Sequence, residues 1–176
     1  MAEAPQTPPA ADPGQSQANP PRLMIQTQFV RDLSFENPRA PASLQAGGPR
    51  PEIGVRIDVR AQPLEEDRFE VTLQLNVEGK AGGETTFVLE LSYAGIFVLM
   101  NIPRDATQAI LLIECPRLLF PFVRRVVADT TRDGGFPPLM IDPVDFAALY
   151  RRRQQQQQAA QGQPLENPTV GNGSPT

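Results

Sequence analysis

The sequence predicts an α+β fold, a four-stranded antiparallel sheet with two C-terminal helices packed on one face, and two observations carry that prediction. Four successive stretches between Ile25 and Tyr93 alternate apolar with polar side chains at a period of two. Strands of that kind bury one face and wet the other. The period then changes, and Ile113 to Gly135, IECPRLLFPFVRRVVADTTRDGG, takes up a helical spacing.

Before the strands, Met1 to Arg22 holds six prolines, almost nothing large and apolar, and no periodicity. Burial there cannot offset the entropy of ordering the chain, so a disordered tail is expected. In the first strand Ile25, Thr27, Phe29, Leu33 and Phe35 alternate with Gln26, Gln28, Asp32, Ser34 and Glu36, Arg31 being the exception. The second sets Ile53, Val55, Ile57 and Val59 against Glu52, Arg56, Asp58 and Arg60. The third sets Phe69, Val71, Leu73, Leu75 and Val77 against Glu70, Thr72, Gln74, Asn76 and Glu78; the fourth sets Phe87, Leu89, Leu91 and Tyr93 against Thr86, Glu90 and Ser92, with Val88 breaking the polar set. Odd residues are therefore expected inside and even residues outside. The wet face leans acidic through Asp32, Glu36, Glu52, Asp58, Glu70, Glu78, Glu84 and Glu90.

EGKAGGE joins strands three and four as a glycine-rich hairpin, and QPLEED joins two and three as briefly. Asn37 to Pro51, with four prolines, is too long for a hairpin and is expected to cross a sheet edge. Ala94 to Met100, AGIFVLM, is apolar on both faces, so cover on both is expected. A helical turn or two from Ala106 to Glu114 should meet Pro116, which cannot sit in a helix interior and should open the next segment. That helix ends at Gly134. On a helical projection at about 100° per residue, Arg117, Arg124, Arg125, Asp129 and Arg132 crowd one arc. Leu118, Leu119, Phe120, Phe122, Val123, Val126 and Val127 spread over about 200°, where a surface helix needs a stripe of about 100°. One side can lie on the sheet; the other points to a subunit interface. The last helix is expected to start at Asp142-Pro143, with Phe146, Leu149 and Tyr150 as its apolar edge and Arg151 to Arg153 suiting its C-terminal dipole. Gln154 to Gln158 can prolong it, and Ala159 to Thr176 reads as a flexible tail. The domain is thus expected over residues 23–158.

Composition narrows the function. The 176 residues carry a net charge of −4 and no histidine, and Cys115 is the single cysteine. Zinc sites of the common kind, a Ser-His-Asp triad and a disulfide framework within one chain are excluded. Nucleic acid is disfavoured as a partner and a basic protein surface favoured. No leader pattern opens the chain and no apolar run approaches a membrane span, so a cytoplasmic protein without stable membrane insertion is expected. There is no phosphate loop and no metal constellation, so no cofactor and no enzymatic activity are expected. These residues alone leave open a small-molecule-binding protein or a scaffold with an acidic partner-binding sheet face.

Six stretches together resemble the SecB family of bacterial protein-export chaperones. They are DLSFENP at Asp32 to Pro38, Pro51-Glu52, GETTFVLEL at Gly83 to Leu91, AGIF at Ala94 to Phe97, CPRLLFPF at Cys115 to Phe122, and GGFPPLMIDPVDFAALY at Gly134 to Tyr150. The resemblance implies a dimer of dimers with the long helices between the sheets, Cys115, Leu119, Phe122, Val123 and Val126 matching the tetramer interface. It implies an ATP-independent holdase that keeps unfolded secretory precursors translocation-competent and delivers them to the motor SecA. Its client groove matches Phe35, Leu44, Ile53, Val55, Ile57, Phe146, Leu149 and Tyr150. Its SecA contact matches Asp32, Glu36, Val88 and Glu90, all of even number and so outward by the alternation. One departure is the lack of any tryptophan before Pro51-Glu52, where Gly47-Gly48-Pro49-Arg50 stands instead.

Overall fold

The computed structural model describes residues 20–45 and 48–161. Most of both expected tails lies outside those residues. Arg22 already belongs to the first strand, and residues 159–161 to the last helix.

Strands β1 (Arg22–Glu36), β2 (Glu52–Glu65), β3 (Arg68–Ala81) and β4 (Glu84–Met100) form one antiparallel sheet in the order β1-β4-β3-β2. The first two strands occupy opposite edges, so the Asn37 to Pro51 connection crosses the whole sheet. Within it Ala42–Leu44 makes a 3-10 turn, Ser43 donates to the Asn37 side chain, and Arg39 pairs with Glu84. Gly82 and Gly83 make the β3–β4 turn at φ +61° and +82°, a pair of left-handed positions that glycine occupies at little steric cost.

The alternation holds in β3 and β4. Val71, Leu73, Leu75, Val77, Phe87, Leu89, Leu91, Tyr93 and Phe97 are buried on the odd face. It fails in the middle of β1. Register shifts between Ile25 and Thr27, and between Val30 and Asp32, insert one unpaired residue each. An extra residue turns those beyond it to the opposite face, and a second turns them back. Thr27 and Phe29 therefore lie opposite Ile96 and Ala94 on the outer face, while Gln28 and Val30 lie opposite Gly95 and Tyr93 on the inner one. Arg31, the second unpaired residue, donates to Glu70. Glu70 is only 6% exposed and also accepts from Gln62 and Thr72. One of the eight outward acids is thus buried and paired.

Ala94 to Met100 continues β4. Its outer side is covered only in part: Ala94 is buried, Ile96 and Val98 are half-buried and Met100 is exposed.

The helices differ from expectation in three ways. First, α1 (Arg104–Ala109), a π turn at Ile110–Glu114 and α2 (Cys115–Asp133) run on without a break. Pro116 lacks an N–H and crowds the carbonyl four residues earlier. The wider π turn just before it relieves that demand, so the helix need not restart. Second, α3 (Phe146–Gln161) begins later than Asp142. Asp145 is its capping residue, accepting from the Ala148 N–H at 2.9 Å. That bond, with the Ala148 amide as first cause, holds the Asp145 carboxyl below the ordinary aspartate range. Third, Arg151 to Arg153 sit within α3 rather than at its end.

Arg104–Asp133 spans 30 residues and, by length and composition alone, is apolar enough to cross a membrane. Here it lies on the sheet. Cys115, Leu119, Val123, Val127 and Thr131 form one ridge at i, i+4 spacing, each 0% exposed. Leu119 sits over Gly95, where a Cβ would come within 2.9 Å of its side chain, so only glycine lets the helix approach so closely. Thr131 Oγ1 donates to the Val127 carbonyl and accepts from the Leu139 N–H, fixing the turn toward α3. Phe146 packs edge-on against Phe120 with ring centroids 5.9 Å apart, so α3 shares the same core. Truncating Leu119 to alanine should cost about 2–5 kcal/mol of stability, because a cavity opens where helix and sheet meet; denaturant unfolding measures it.

Candidate functional site

Strand β2 is an edge strand with its odd face toward the helices. Ile53 and Val55 remain 39% exposed there, Ile57 is half-buried and Val59 is buried. The difference follows from what lies above them. Toward Ala61 the strand runs beneath α3 and the π turn, whereas toward Ile53 its neighbour is Gly79, which leaves room for the Phe87 ring.

The expected groove residues fall into two places, one at each end of the sheet's inner face. At the crossover end Phe35 stacks on Phe87 at 5.8 Å and tilts against Phe136 at 6.3 Å. Leu44 lies against Gly135. Leu44 and Phe136 border a depression of about 720 Å³ shared with Pro49, Pro51 and Pro137. At the other end Ile57, Val59, Leu112, Leu149 and Tyr150 line a trough of about 360 Å³ between β2 and α3. Ile53 and Val55 connect the two. Phe146 does not belong to either: it is 1% exposed, so it is a core residue with no surface to offer. Its i, i+3 relation to Leu149 marks a shared helix edge without saying which members reach solvent. Phe136 and Leu112 were missed. Phe136 follows the Gly134-Gly135 turn, where periodicity gives no signal.

On the outer face the four expected positions are close neighbours. Glu36 lies opposite Val88, Ser34 opposite Glu90, and Asp32 opposite Ser92. Val88 is half-buried there, and Asp32, Glu36 and Glu90 are exposed. Glu90 accepts from Asn76 at 2.8 Å. Glu78, beyond Val88 on β3, extends the row. Hydrogen bonds from Lys80 and then Thr85 hold its carboxyl below the usual range. The acidity stops at β2, where Arg56 lies opposite Asn76 and Arg60 pairs with Asp58.

The residues expected between subunits divide as well. Cys115, Leu119 and Val123 are the ridge that α2 buries in its own sheet. They share one side of the helix at i, i+4 spacing, and that side meets the chain's own odd face. What remains open is Leu118 at 47% and Phe122 at 38%, with Val126 half-buried. Phe122 stacks parallel to Tyr93 at 6.5 Å. Tyr93 is the register partner of Val30, so this strip continues to exposed Val30, Leu33 and Ile25 on the β1 edge.

An edge strand with open apolar side chains, beside a helix that walls it, is the kind of surface on which an extended polypeptide adds to a sheet. Comparison with known proteins narrows that reading. The family model described as Preprotein translocase subunit SecB matches residues 16–157. The chain belongs to the SecB family and is accordingly a protein-export chaperone. It is 50% identical over 175 residues to the protein-export protein SecB of Maricaulis maris, covering 99% of this chain and 98% of that one. It is 48% identical over 157 residues to the protein of the same name from Bradyrhizobium diazoefficiens, covering 89% and 94%. The fold is similar to that of a Mycobacterium tuberculosis SecB-like chaperone solved with a ChAD peptide from the HigA1 antitoxin. That likeness has a TM-score of 0.58 at 16% identity, covering 70% of this chain and 91% of the other.

Burial pushes the Cys115 thiol up to about 12, with the Glu114 charge adding to the shift. The thiolate, which is the reactive form, is therefore scarce at neutral pH. Iodoacetamide at pH 8 should leave Cys115 unmodified in the native protein and alkylate it in denaturant, as intact-mass spectrometry would show.

Proposed function

We propose that this chaperone is an ATP-independent holdase of the cytoplasm that keeps unfolded secretory precursors soluble and delivers them to SecA. The observation that carries the reading is the run of open apolar side chains along the β2 edge, from Leu44 and Ile53 through Val55 and Ile57 to Leu149 and Tyr150. Extended segments exchange apolar surface there without selection for sequence. Each such contact is weak, and several grooves acting on one long client supply avidity. Where a tryptophan is lacking before Pro51-Glu52, Phe136 is the aromatic side chain that lines the crossover end of the groove, with Phe35 tilted against it.

The several grooves come from assembly as a homotetramer, a dimer of dimers. Support for it is the open strip of Leu118, Phe122, Val30, Leu33 and Ile25, which is apolar and continuous from α2 to a sheet edge. Replacing Phe122 by glutamate should give smaller particles with unchanged circular dichroism, because a charge at a dry interface is costly. The same change at Val123 should unfold the chain, since it puts the charge in the core. Light scattering and far-UV spectra distinguish the two.

SecA contact is assigned to the β1–β4 half of the outer face, with Asp32, Glu36 and Glu90 as charges and Val88 as the apolar centre. Turning the three acids into lysine should weaken SecA binding at least tenfold and leave suppression of aggregation intact. Raising salt to physiological strength should weaken the wild-type SecA contact, because exposed charges are screened over about 8–10 Å. Val55 or Tyr150 changed to a polar residue should impair holding and spare SecA. Calorimetry with SecA and light scattering of an unfolded precursor test both. Loss of holding with SecA affinity unchanged in the charge-reversed protein would reverse the assignment.

A further inference from the structure

Arg151, Arg152 and Arg153 lie within α3, which continues to Gln161, so the helix-end role expected of them lapses. Arg153 has a definite contact instead. Its Nη1 donates to the Val59 carbonyl at 2.8 Å and stands 3.8 Å from Asp58 Oδ1. Val59 lies on β2, whose outer side has no neighbouring strand among the described residues. Alternate main-chain groups there lack a partner in the sheet, and Arg153 supplies one. The place matters. The trough lined by Ile57, Leu149 and Tyr150 and a second one lined by Ala61, Leu111 and Gln108 share Leu112, Tyr150 and Arg153. One long trough along the strand is thus divided where the guanidinium crosses it.

We propose that Arg153 is a bar across the β2 edge, holding it closed until an extended client takes over the Val59 carbonyl with a main-chain N–H of its own. This deepens the holdase reading and rests on it. The exchange swaps one hydrogen bond for another, and the guanidinium, whose side chain is 47% exposed, swings into water on a flexible stem. A bar of this strength yields to a client that also fills the apolar trough. It resists an edge that offers main-chain bonds alone, such as the β2 of another copy.

The test uses the full-length protein with Arg153→Ala, Arg153→Gln and, as a charge-matched control on a residue that lines neither trough, Arg151→Ala. Affinity is measured for reduced, carboxymethylated α-lactalbumin, which stays unfolded in buffer, and hydrogen exchange is followed with and without it. Arg153→Ala and Arg153→Gln should bind about three- to tenfold more tightly, the range one net hydrogen bond supplies. Arg151→Ala should match the wild type. Client should slow exchange at Ile57, Val59 and Ala61 in all four proteins. The glutamine variant keeps the test decisive if the alanine variant folds poorly. Equal affinity in wild type and both Arg153 variants, or equal tightening in Arg151→Ala, would overturn the bar, the latter by showing a general charge effect. Tightening without protection along β2 would also overturn it. Binding by none of the four proteins would overturn the holdase reading, and the bar with it.

Discussion

The fold depends on a single contact surface. The ridge Cys115, Leu119, Val123, Val127 and Thr131 lies along the odd faces of β3 and β4, with Gly95 allowing the approach at Leu119. Four strands have one face to bury; this helix covers the middle of it, α3 reaches β2 only about Ile57, Val59 and Ala61, and the rest of both edges stays open. The open edges follow from width: one helix, about 10 Å across with its side chains, spans two strands at a spacing of about 4.8 Å. Ile53 and Val55 at one edge, and Ile25, Val30 and Leu33 at the other, are therefore exposed for the same reason.

Those two edges invite different uses. The β1 edge is continuous with the open side of α2 through Tyr93 and Phe122, which suits a large, dry surface between copies. The β2 edge is flanked by α3 and the crossover connection, which suits a narrow trough for an extended chain. The outer sheet face is kept apart from both by the sheet itself. Its charge is divided, acidic over β1 and β4 and mixed over β2, where Arg56 and Arg60 stand. The proposed holding of a client and contact with SecA need surfaces that do not compete. A sheet with one covered face provides them.

Much of this was legible in the sequence. Period-two alternation gave the strands and the faces of β2, β3 and β4, and the Gly82-Gly83 turn joined β3 to β4 as expected. The outward positions of Asp32, Glu36, Val88 and Glu90 followed from parity alone, because the bulges of β1 end at Arg31. The residues of the proposed client groove were less legible. Ile57, Leu149 and Tyr150 meet in one trough, but Phe146, on the same helix edge, is buried against Phe120. A period says which side of its own element a residue is on and nothing of how far the partner surface extends.

By itself the sequence determined local geometry: the strand faces, the turn glycines, the apolar arc of α2 and the family. Each is written in neighbouring residues, through backbone sterics and the spacing of side chains. Tertiary structure alone decided which residues of the arc face inward, since Cys115, Leu119 and Val123 went to the sheet and Leu118 and Phe122 did not. It decided the inverted stretch Thr27 to Val30, because a bulge exists only relative to the strand it is paired with. It decided that Arg153, read as a helix-end charge, meets the carbonyl of Val59, ninety-four residues away along the chain. Contacts between distant segments depend on strand order and helix placement, and no local pattern encodes those.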